Sequence, residues 1–342
     1  MTERATIEST VLVVIVNYRS AQLTFDCVRS LEPERRDVPN LRVVVVENNS
    51  GEADVLRQGL EGSEYRDWVR IVESDYNGGF AYGFNLGLRA ADDDGCVSQL
   101  LLLLNPDTRV YPGAVRVLCD FLQANPQVGI VGSGLDLADG TNWPFAFRFP
   151  SIWSEIERGI SLGLASKILR RHAVAQQMGN RPAQIDWVPG ASMMVRRDVM
   201  ERVGCLDECF FLYFEETDFC RRAKNAGSSC WYVPESRVLH IAGQSTGLTA
   251  HDRKPERVPR YWFESRRRYF LKHHGSAYAA IADLAFVSSR LLGRLKGLLR
   301  RADRTDPPKL LRDFLRHSSI WRRNRRLQPE ITYHPASSAE AR

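Results

Sequence analysis

The stretch TVLVVIVNYRS, residues 10–20, is a mainly β-branched apolar run that ends at a polar residue, Asn17. A second run of the same form, LRVVVVENNSGE, occupies residues 41–52. Continuous apolar runs of this length are typical of strands buried on both faces of a parallel sheet. Between the two runs, apolar residues recur at helical spacing in AQLTFDCVRSLEP. The sequence therefore predicts a strand, helix, strand unit with a right-handed crossover.

Length and composition limit the class of protein. With 342 residues and 44% hydrophobic content, the chain is long enough for one large α/β domain with appendages, or for two domains. No stretch approaches the roughly 20 apolar residues of a membrane helix, and no signal peptide is recognisable, so a cytoplasmic location is expected. The seven cysteines have neither zinc-site nor disulfide-framework spacing, and we expect reduced thiols.

Charge is unevenly distributed along the chain. Residues 1–250 carry 25 Lys and Arg against 32 Asp and Glu, whereas residues 251–342 carry 22 against 9. A basic tail on an acidic body predicts an anionic partner for the tail, and a tail that is simply solvated is the alternative. Because no folded RNA-binding module accompanies the tail, nucleic acid is not an expected partner.

Polar residues follow each predicted central strand, as NYRS at 17–20 and ENNS at 47–50. Ligands of open parallel sheets bind at the carboxyl ends of the strands. The segment DYNGGFAYGFNLGLRAA, residues 75–91, begins a helix with Asn-Gly-Gly, whose small residues let another backbone or a phosphate approach closely. The chain has neither a dinucleotide-binding glycine fingerprint nor a P-loop, so a nucleotide would have to bind in another way.

Asp107 follows five consecutive leucines in QLLLLLNPDTRVYPGAV, residues 99–115. Pro106 cannot donate to a strand ladder, so the buried strand ends at this point. A carboxylate at the end of a central strand can bind a hard divalent cation, but Asn-Pro-Asp is also a common turn. These residues alone leave both interpretations open.

Three carboxylates, Glu215, Glu216 and Asp218, lie among aromatic residues in LYFEETDFCRR, residues 212–222. Their mutual repulsion and desolvation penalise the ionised forms. One interpretation is the acidic first turn of a helix, which the helix dipole favours. The other is a catalytic site that contains a base of raised proton affinity.

In this order, VVIVNYRS, VVVVENNS, NGGFAYGFN, LLLLNPDT, the segment PGASMMVRRDV through FEETDFCRRAKNAG, and VLHIAGQSTG resemble the inverting glycosyltransferases of family 2, particularly their bacterial rhamnosyltransferase-like branch. The resemblance extends over residues 10–275. It implies the α/β nucleotide-diphospho-sugar transferase fold called GT-A, with a Rossmann-like, mostly parallel sheet. We therefore expect a GT-A domain over residues 8–275, a basic amphipathic helical extension over 276–327, and a disordered tail over 328–342.

The resemblance also implies site residues. Glu216 would be the catalytic base, Glu215 its supporting neighbour, and Asp218 a third acid that holds the helix start or the acceptor. Asp107 and His240 would bind Mn²⁺ or Mg²⁺, a mixed oxygen and nitrogen site that suits either ion. The expected donor-binding residues are Asn17, Tyr18, Glu47, Asn49, Asn77, Gly79, Asn85, Asn105, Asp107, Gly190 and Ala191. The family usually has Asp where this chain has Glu47.

The implied activity is inverting, metal-dependent transfer of a sugar, with rhamnose or a similar deoxyhexose expected. The donor would be a dTDP- or UDP-linked sugar, and the acceptor a glycan or a lipid-linked molecule in cell-surface polysaccharide synthesis. The alternative is a catalytically silent nucleotide-sugar-binding or scaffold protein on the same fold. Turnover of a nucleotide sugar distinguishes the two.

The segment SAYAAIADLAFVSSRLLGRLKGLLRRADR, residues 276–304, has the pattern of an amphipathic basic helix. Its predicted apolar face contains Ile281, Leu284, Leu291, Leu295 and Leu298, and the basic residues off that face are Arg290, Arg294, Lys296 and Arg300. Such a helix suits an anionic membrane surface, which would place the protein peripherally on the inner face of the cell membrane. A helix docked on the catalytic domain, with its arginines in water, is the alternative.

Overall fold

The computed structural model describes residues 9–62, 64–143, 145–159, 169–241, 256–300, 306–320 and 330–333, with side chains up to residue 295 in the fifth segment. In chain order the elements are β1 (Val11–Asn17), α1 (Ala21–Leu31), β2 (Leu41–Glu47), α2 (Ala53–Leu60), β3 (Val69–Glu73), α3 (Gly79–Asp93), β4 (Leu100–Leu104), β5 (Thr108–Val110), α4 (Ala114–Ala124), β6 (Val128–Asp136), β7 (Asn142–Trp143), β8 (Phe145–Phe147), α5 (Ile152–Gly159), β9 (Ala175–Gln177), β10 (Ala183–Ile185), β11 (Ser192–Arg196), α6 (Arg197–Val203), α7 (Glu215–Asn225), β12 (Ser229–His240), α8 (Arg260–Arg300) and α9 (Leu310–His317).

One large sheet organises these elements, with strand order β10-β12-β6-β11-β4-β1-β2-β3. β1 pairs in parallel with β2 on one side and with β4 on the other. β11 runs antiparallel between β4 and β6, while β12 is parallel to β6. The sheet is therefore mostly parallel with one reversed strand near its centre, and the predicted mixed α/β fold is confirmed.

The core lies on both faces of this sheet. Alternate residues of β1 enter different clusters: Val11, Val13 and Ile15 pack on the side of α1 and α4, and Leu12 and Val14 pack on the side of α3. All seven residues of β1 are buried. The continuous apolar run thus forms a strand that is covered on both faces, because no position along it is left to meet water.

The start of α3 lies against the backbone that precedes the acidic helix α7. Gly79 has a φ of +84°, and the Phe80 N–H donates to the carbonyl of Phe211 at 2.8 Å. A Cβ atom built on Gly79 would lie 2.0 Å from that carbonyl oxygen. The Asn-Gly-Gly signal is therefore explained by a left-handed backbone and by a close approach that only glycine permits.

α8 is bent at Gly275, where φ is +79°, and its two halves lie side by side. The buried Arg266 guanidinium, before the bend, donates to the Asp283 carboxylate, after the bend, at 2.6 Å. The half after the bend also packs on α5, where the Ser289 hydroxyl donates to the carbonyl of Glu155 at 3.1 Å. α8 is consequently packed on the domain and does not project from it.

The predicted extension over 276–327 is described in part, by the second half of α8 and by α9. Residues 301–305 and 321–329 lie outside the described residues, as do the side chains of Lys296, Leu298 and Arg300. No helix among the described residues is long and apolar enough to cross a membrane.

Of the tail expected to be disordered, 328–342, the structure describes only residues 330–333. The Tyr333 carbonyl accepts the Cys205 N–H at 2.8 Å, and the Tyr333 hydroxyl donates to Asp92 Oδ2 at 2.9 Å. Main-chain pairing and the hydrogen bond of the Tyr333 hydroxyl attach these four residues to the domain. The rest of the tail lies outside the described residues.

Gly79→Ala should destabilise the protein far more than Gly51→Ala, which is a matched control. Both glycines have positive φ, +84° and +83°, but a Cβ on Gly51 would meet nothing within 4 Å. The control change should therefore cost about 1 kcal/mol, the backbone penalty alone. Gly79→Ala should lower the free energy of unfolding in urea by at least about 2 kcal/mol more, because the Phe211 backbone must move. Equal losses in the two variants would contradict the close-approach explanation.

Candidate active site

The carboxyl ends of β1 and β2 lie side by side, with Asn17 opposite Glu47 in the register. Asn17 is fully buried, and its amide donates to Glu52 Oε2 at 2.9 Å and accepts the hydroxyl of Thr24 at 2.8 Å. Its side chain therefore holds the turn into α1 and does not line an open pocket. Tyr18, the next residue, is 39% exposed and can meet a ligand.

Glu47 is 3% exposed, and its carboxylate is held by the next turn of its own loop. The Ser50 N–H donates to Glu47 Oε1 at 2.6 Å, and the Ser50 hydroxyl donates to the same oxygen. The longer side chain of Glu47 thus packs against its loop. Both bonds from Ser50 reach the same carboxylate oxygen, Oε1. Glu52, which sequence inspection did not single out, accepts the N–H groups of Ser20 and Ala21 at 2.8 and 3.2 Å and so caps α1.

Two of the asparagines expected near the donor, Asn77 and Asn49, have structural contacts. Asn77 Oδ1 accepts from the Asn48 amide and from the Gly79 N–H, both at 3.0 Å. Asn49 has a φ of +56° and donates to the carbonyl of Asp75 at 2.9 Å. These bonds tie the ends of β2 and β3 to the start of α3. Asn48, buried and central to this network, was missed because it stands between two other polar residues in the ENNS run.

Asn85 lies elsewhere. It is fully buried in α3, and its amide donates to the carbonyl of Leu206 at 2.8 Å and to Glu208 Oε1 at 2.9 Å. It also accepts the Leu206 N–H at 3.2 Å. Asn85 therefore fastens the segment before α7 to α3, and its polar atoms face protein groups.

Asp107 and His240 come together because β5 pairs antiparallel with β12, which sets Thr108 opposite His240. The Asp107 carboxylate is 4% exposed, and its Oδ1 lies 3.4 Å from His240 Nε2. That separation is longer than the usual N–H···O hydrogen bond of about 2.7–3.2 Å. It is one that two ligands of a single ion, each at about 2.0–2.1 Å, can have. A carboxylate oxygen and an imidazole nitrogen therefore fit a site for Mn²⁺ or Mg²⁺.

The main chain links this pair to the segment that was expected to contact the donor. The Asn105 N–H donates to the carbonyl of Ala191 at 3.3 Å, and the Asn105 carbonyl accepts the hydroxyl of Thr108 at 2.7 Å. Asn105, Gly190 and Ala191 thus lie where β4 and β11 meet, next to the strand that leads to Asp107.

Glu215 and Glu216 begin α7, and the two residues before them have left-handed backbones. Tyr213 and Phe214 have φ values of +69° and +72°. Two such residues that are not glycine are energetically costly, and they persist only where surrounding contacts hold them. The contacts come from α8: the ring of Tyr213 stacks on Tyr261, and Phe214 packs against Trp262 and Tyr269.

The environment of the two glutamates favours their neutral forms. Burial, and then the neighbouring Glu216 carboxylate, raise the pKa of Glu215 well above its ordinary value. Burial also raises the pKa of Glu216, while backbone N–H groups, among them that of Gly190, act in the opposite direction. In each carboxylate, Oε2 is buried and has no hydrogen-bond partner among the described residues. The pair therefore has a high proton affinity and oxygens that are free to accept a proton.

Asp218, predicted to belong with these glutamates, faces the other way. It is fully buried and contacts His273 at 2.7 Å, Arg222 at 2.8 Å and Lys272 at 2.9 Å. Burial alone would raise the pKa of Asp218, but the His273 hydrogen bond and the Arg222 and Lys272 charges hold it well below its usual range. Asp218 is thus an ionised anchor between α7 and α8.

Carboxylate oxygens of Asp207, Asp218 and Glu330 lie within 4.8 Å of one another, a spacing that could suit a metal ion. Cations of the chain already occupy this cluster. Lys272 Nζ lies within 3.0 Å of each of the three acids, and Arg268 donates to Asp207 at 2.7 Å. Because these charges are matched internally, we assign the cluster to ion pairing between α8 and the domain.

A cavity of about 420 Å³ opens beside Glu216. Its wall includes the carboxylate-bearing Glu216, the adjacent Thr217, and the aromatic residues Phe147, Trp187, Tyr213, Phe214 and Trp262. Trp187 and Phe147 stack with ring centroids 4.4 Å apart. Flat apolar walls next to a base of high proton affinity can hold a molecule that presents both a CH-rich face and a hydroxyl group.

Comparison with known proteins gives consistent results. A model of the family described as glycosyltransferase-like family 2 matches residues 9–258. N-acetylglucosaminyl-diphospho-decaprenol L-rhamnosyltransferase of Mycobacterium tuberculosis is 29% identical over 225 residues, 63% of this chain and 67% of that protein. The dTDP-rhamnosyl transferase RfbF of Shigella flexneri is 24% identical over 250 residues, 72% of this chain and 76% of that protein.

Solved structures share the fold at low sequence identity. GalNAc-T7 with UDP, GalNAc and Mn²⁺ superposes with a TM-score of 0.54 and 14% identity, over 92% of this chain and 55% of that chain. The mannosyltransferase PcManGT of Pyrobaculum calidifontis, in complex with GDP-Man and Mn²⁺, gives 0.53 and 15%, over 93% and 82% of the two chains.

Glu215→Gln should stabilise the protein at alkaline pH and not at acidic pH. The raised pKa of Glu215 means that its stability contribution is complete below the unfolded-state value and is lost as pH rises toward the folded-state value. Gln cannot ionise, so Tm should rise by at least about 2 °C near pH 8 and stay unchanged near pH 4. The exposed Glu235→Gln is the control and should change Tm at neither pH. A gain of equal size at both pH values would contradict the burial argument.

Proposed function

The chain belongs to glycosyltransferase-like family 2, and on that basis we propose that it is an inverting enzyme whose base is Glu216. One observation carries the proposal: the half-buried side chain of Glu216, whose Oε2 is buried and whose pKa is raised, forms part of the wall of an aromatic cavity. The comparisons support rhamnose as the transferred sugar, because rhamnosyltransferases are among the relatives. Another deoxyhexose of similar shape is the alternative transferred sugar.

In the proposed reaction an acceptor hydroxyl in the cavity loses its proton to Glu216 as its oxygen attacks the anomeric carbon of the donor. The bond from that carbon to the diphosphate breaks, and the nucleoside diphosphate leaves with the electron pair. This single in-line displacement inverts the configuration at the anomeric carbon. Because burial favours the proton-bound form of Glu216, the base gains driving force at the moment of attack.

Glu215 has a supporting part. Burial and the neighbouring Glu216 carboxylate raise the pKa of Glu215, which favours its neutral form beside an ionised Glu216. A neutral carboxyl at 215 avoids repulsion with the ionised base and can orient it. Asp218 acts through α7, which it joins to Lys272 and His273 of α8.

On the donor side we propose a dTDP- or UDP-linked sugar. Tyr18 is exposed at the end of β1, Glu47 is the last residue of the adjoining strand β2, and Asn49 lies in the loop after it. Asp107 and His240 would hold Mn²⁺ or Mg²⁺. When bound, such an ion supplies positive charge to the departing diphosphate. The backbone at Gly190 and Ala191 would lie beside the sugar.

For the acceptor we propose a glycan or a lipid-linked saccharide. The aromatic cavity suits the apolar face of a sugar ring, and the mycobacterial relative is named for a lipid-linked diphosphate substrate. Synthesis of cell-surface polysaccharide is the role that follows from such an acceptor. An enzyme that transfers sugar to a membrane-held acceptor would be a peripheral protein on the cytoplasmic side of the membrane.

Glu216→Gln should lower kcat by roughly 10²-fold or more, with the Kd for the nucleotide sugar unchanged, because Gln keeps the shape but cannot take a proton. Glu215→Gln should lose much less activity, since an amide resembles the neutral acid. Glu157→Gln, in the wall of the same cavity, is the matched control and should stay near normal. The measurement is transfer to an acceptor, combined with donor binding by calorimetry. Near-normal turnover by Glu216→Gln would remove it as the base, and binding of donor without turnover by the unmodified chain would indicate a silent binding protein.

Asp107→Asn should weaken Mn²⁺ binding by at least about tenfold, or about 1.4 kcal/mol, because an anionic ligand becomes a neutral one. Electron paramagnetic resonance of free Mn²⁺ measures this without any turnover. Asp54→Asn, a change at a 90% exposed carboxylate, is the control and should bind Mn²⁺ as the unmodified chain does. Unchanged affinity in Asp107→Asn would exclude this position from the metal site.

A further inference from the structure

Five aliphatic side chains of α8 are exposed along one side of the helix after its bend. They are more than half exposed, at 53–59%, and consist of Ile281, Leu284, Leu291, Leu292 and Leu295. At 3.6 residues per turn these positions fall within an arc of about 100° and extend over about 21 Å of helix. We call this row the leucine stripe. Isolated exposed leucines need no explanation, but five such side chains on one side of a helix, with Ser288 between the two groups, indicate an interaction surface.

The opposite side of the same helix is fixed to the domain. Ala282 and Phe286 are buried, and Asp283 pairs with Arg266 at 2.6 Å. The Ser289 hydroxyl is bonded to the carbonyl of Glu155 on α5 at 3.1 Å. Rotation that buried the stripe would expose these residues and break a buried ion pair. The stripe therefore faces outward while the other face of α8 remains packed.

We propose that the leucine stripe lies on an anionic membrane surface, with its side chains inserted at the boundary between head groups and acyl chains. The membrane would be a partner of the proposed enzyme. This contact rests on the proposed function in one respect, because an acceptor held in the membrane gives it a purpose.

Charge favours an anionic lipid surface as the partner. Residues 251–342 carry 22 Lys and Arg against 9 Asp and Glu. After the stripe in the sequence, KGLLRRADR, residues 296–304, contains four basic residues and one acidic residue. Exposed apolar side chains, followed along the sequence by an excess of basic residues, are the two elements of interfacial binding.

Two arginines expected to serve this surface are engaged within the protein. Arg290 donates to Asp306 Oδ1 at 2.6 Å, and Arg294 donates to Asp306 Oδ2 at 3.0 Å. They join α8 to the segment before α9. The contact with lipid should therefore depend on the leucines more than on Arg290 or Arg294.

A second copy of the chain fits the stripe less well. Five half-exposed aliphatic side chains offer roughly 500 Å², whereas a stable dimer buries about 800 Å² on each partner. A planar lipid surface has no such minimum, because each inserted side chain contributes separately.

The test compares two double variants of the full chain by sedimentation with vesicles. Leu284→Gln with Leu291→Gln removes two members of the stripe, and Gln retains good helix propensity. Val55→Gln with Ile331→Gln is the matched control, since these residues are 48% and 53% exposed away from the stripe. Vesicles are phosphatidylcholine alone, or phosphatidylcholine mixed with an equal amount of phosphatidylglycerol. Light scattering without vesicles gives the oligomeric state of each protein.

The unmodified chain should bind the mixed vesicles more tightly than neutral ones, and the leucine variant should bind them at least about tenfold more weakly. The control pair should bind like the unmodified chain. Unchanged binding by the leucine variant, or no binding by the unmodified chain, would overturn the proposal. A dimer that becomes a monomer in the leucine variant, with no vesicle binding, would identify a second copy as the occupant.

Two further measurements separate this proposal from the proposed function. Glu216→Gln should bind vesicles as the unmodified chain does, because the stripe needs no chemistry. The leucine variant should transfer sugar to a water-soluble acceptor at a normal rate. Vesicle binding without any transferase activity in the unmodified chain would remove the proposed function and keep the membrane surface.

Discussion

A sheet that is buried on both faces constrains where this protein can present polar groups. β1 as far as Val16 and the whole of β4 are apolar and buried, so no side chain in these stretches can meet a substrate. Polar residues accumulate where these strands end, and parallel pairing brings those ends to one edge. The segment from Asn105 to Asp107, the loop after Glu47, and the start of α3 come together for this reason. The candidate donor site is thus a consequence of how the core is covered.

The two glutamates at the start of α7 depend on support from outside the strands. Their mutual repulsion, their burial and the left-handed backbones of Tyr213 and Phe214 all oppose the folded arrangement. Aromatic contacts from α8 offset this energetic cost. Asp218 also joins α7 to His273 and Lys272 of α8. The helix that begins after the family match at residue 258 is therefore part of the candidate catalytic centre.

The same helix separates two tasks along its length. Before Gly275 it holds the acidic loop, and after Gly275 it packs one face on α5 while it exposes the leucine stripe on the other. Because both halves are joined through Arg266 and Asp283, an orientation imposed on the stripe would be transmitted to the domain as a rigid body. A membrane contact of this kind would set the direction in which the aromatic cavity faces.

The sequence by itself predicted the mostly parallel sheet, because β-branched apolar runs such as residues 10–16 are typical of strands buried on both faces. It also singled out the acidic cluster, because three carboxylates among aromatic residues repel one another and lose hydration when they ionise. Local sequence could not separate Glu216 from Asp218, because helical spacing alone does not reveal that Arg222, Lys272 and His273 surround one of them. Nor could it show that Asn17 and Asn85 are enclosed by Glu52 and Leu206, which are distant along the chain. Those outcomes depend on long-range packing, and only the tertiary structure decides which polar group is satisfied by the protein and which remains available to a substrate.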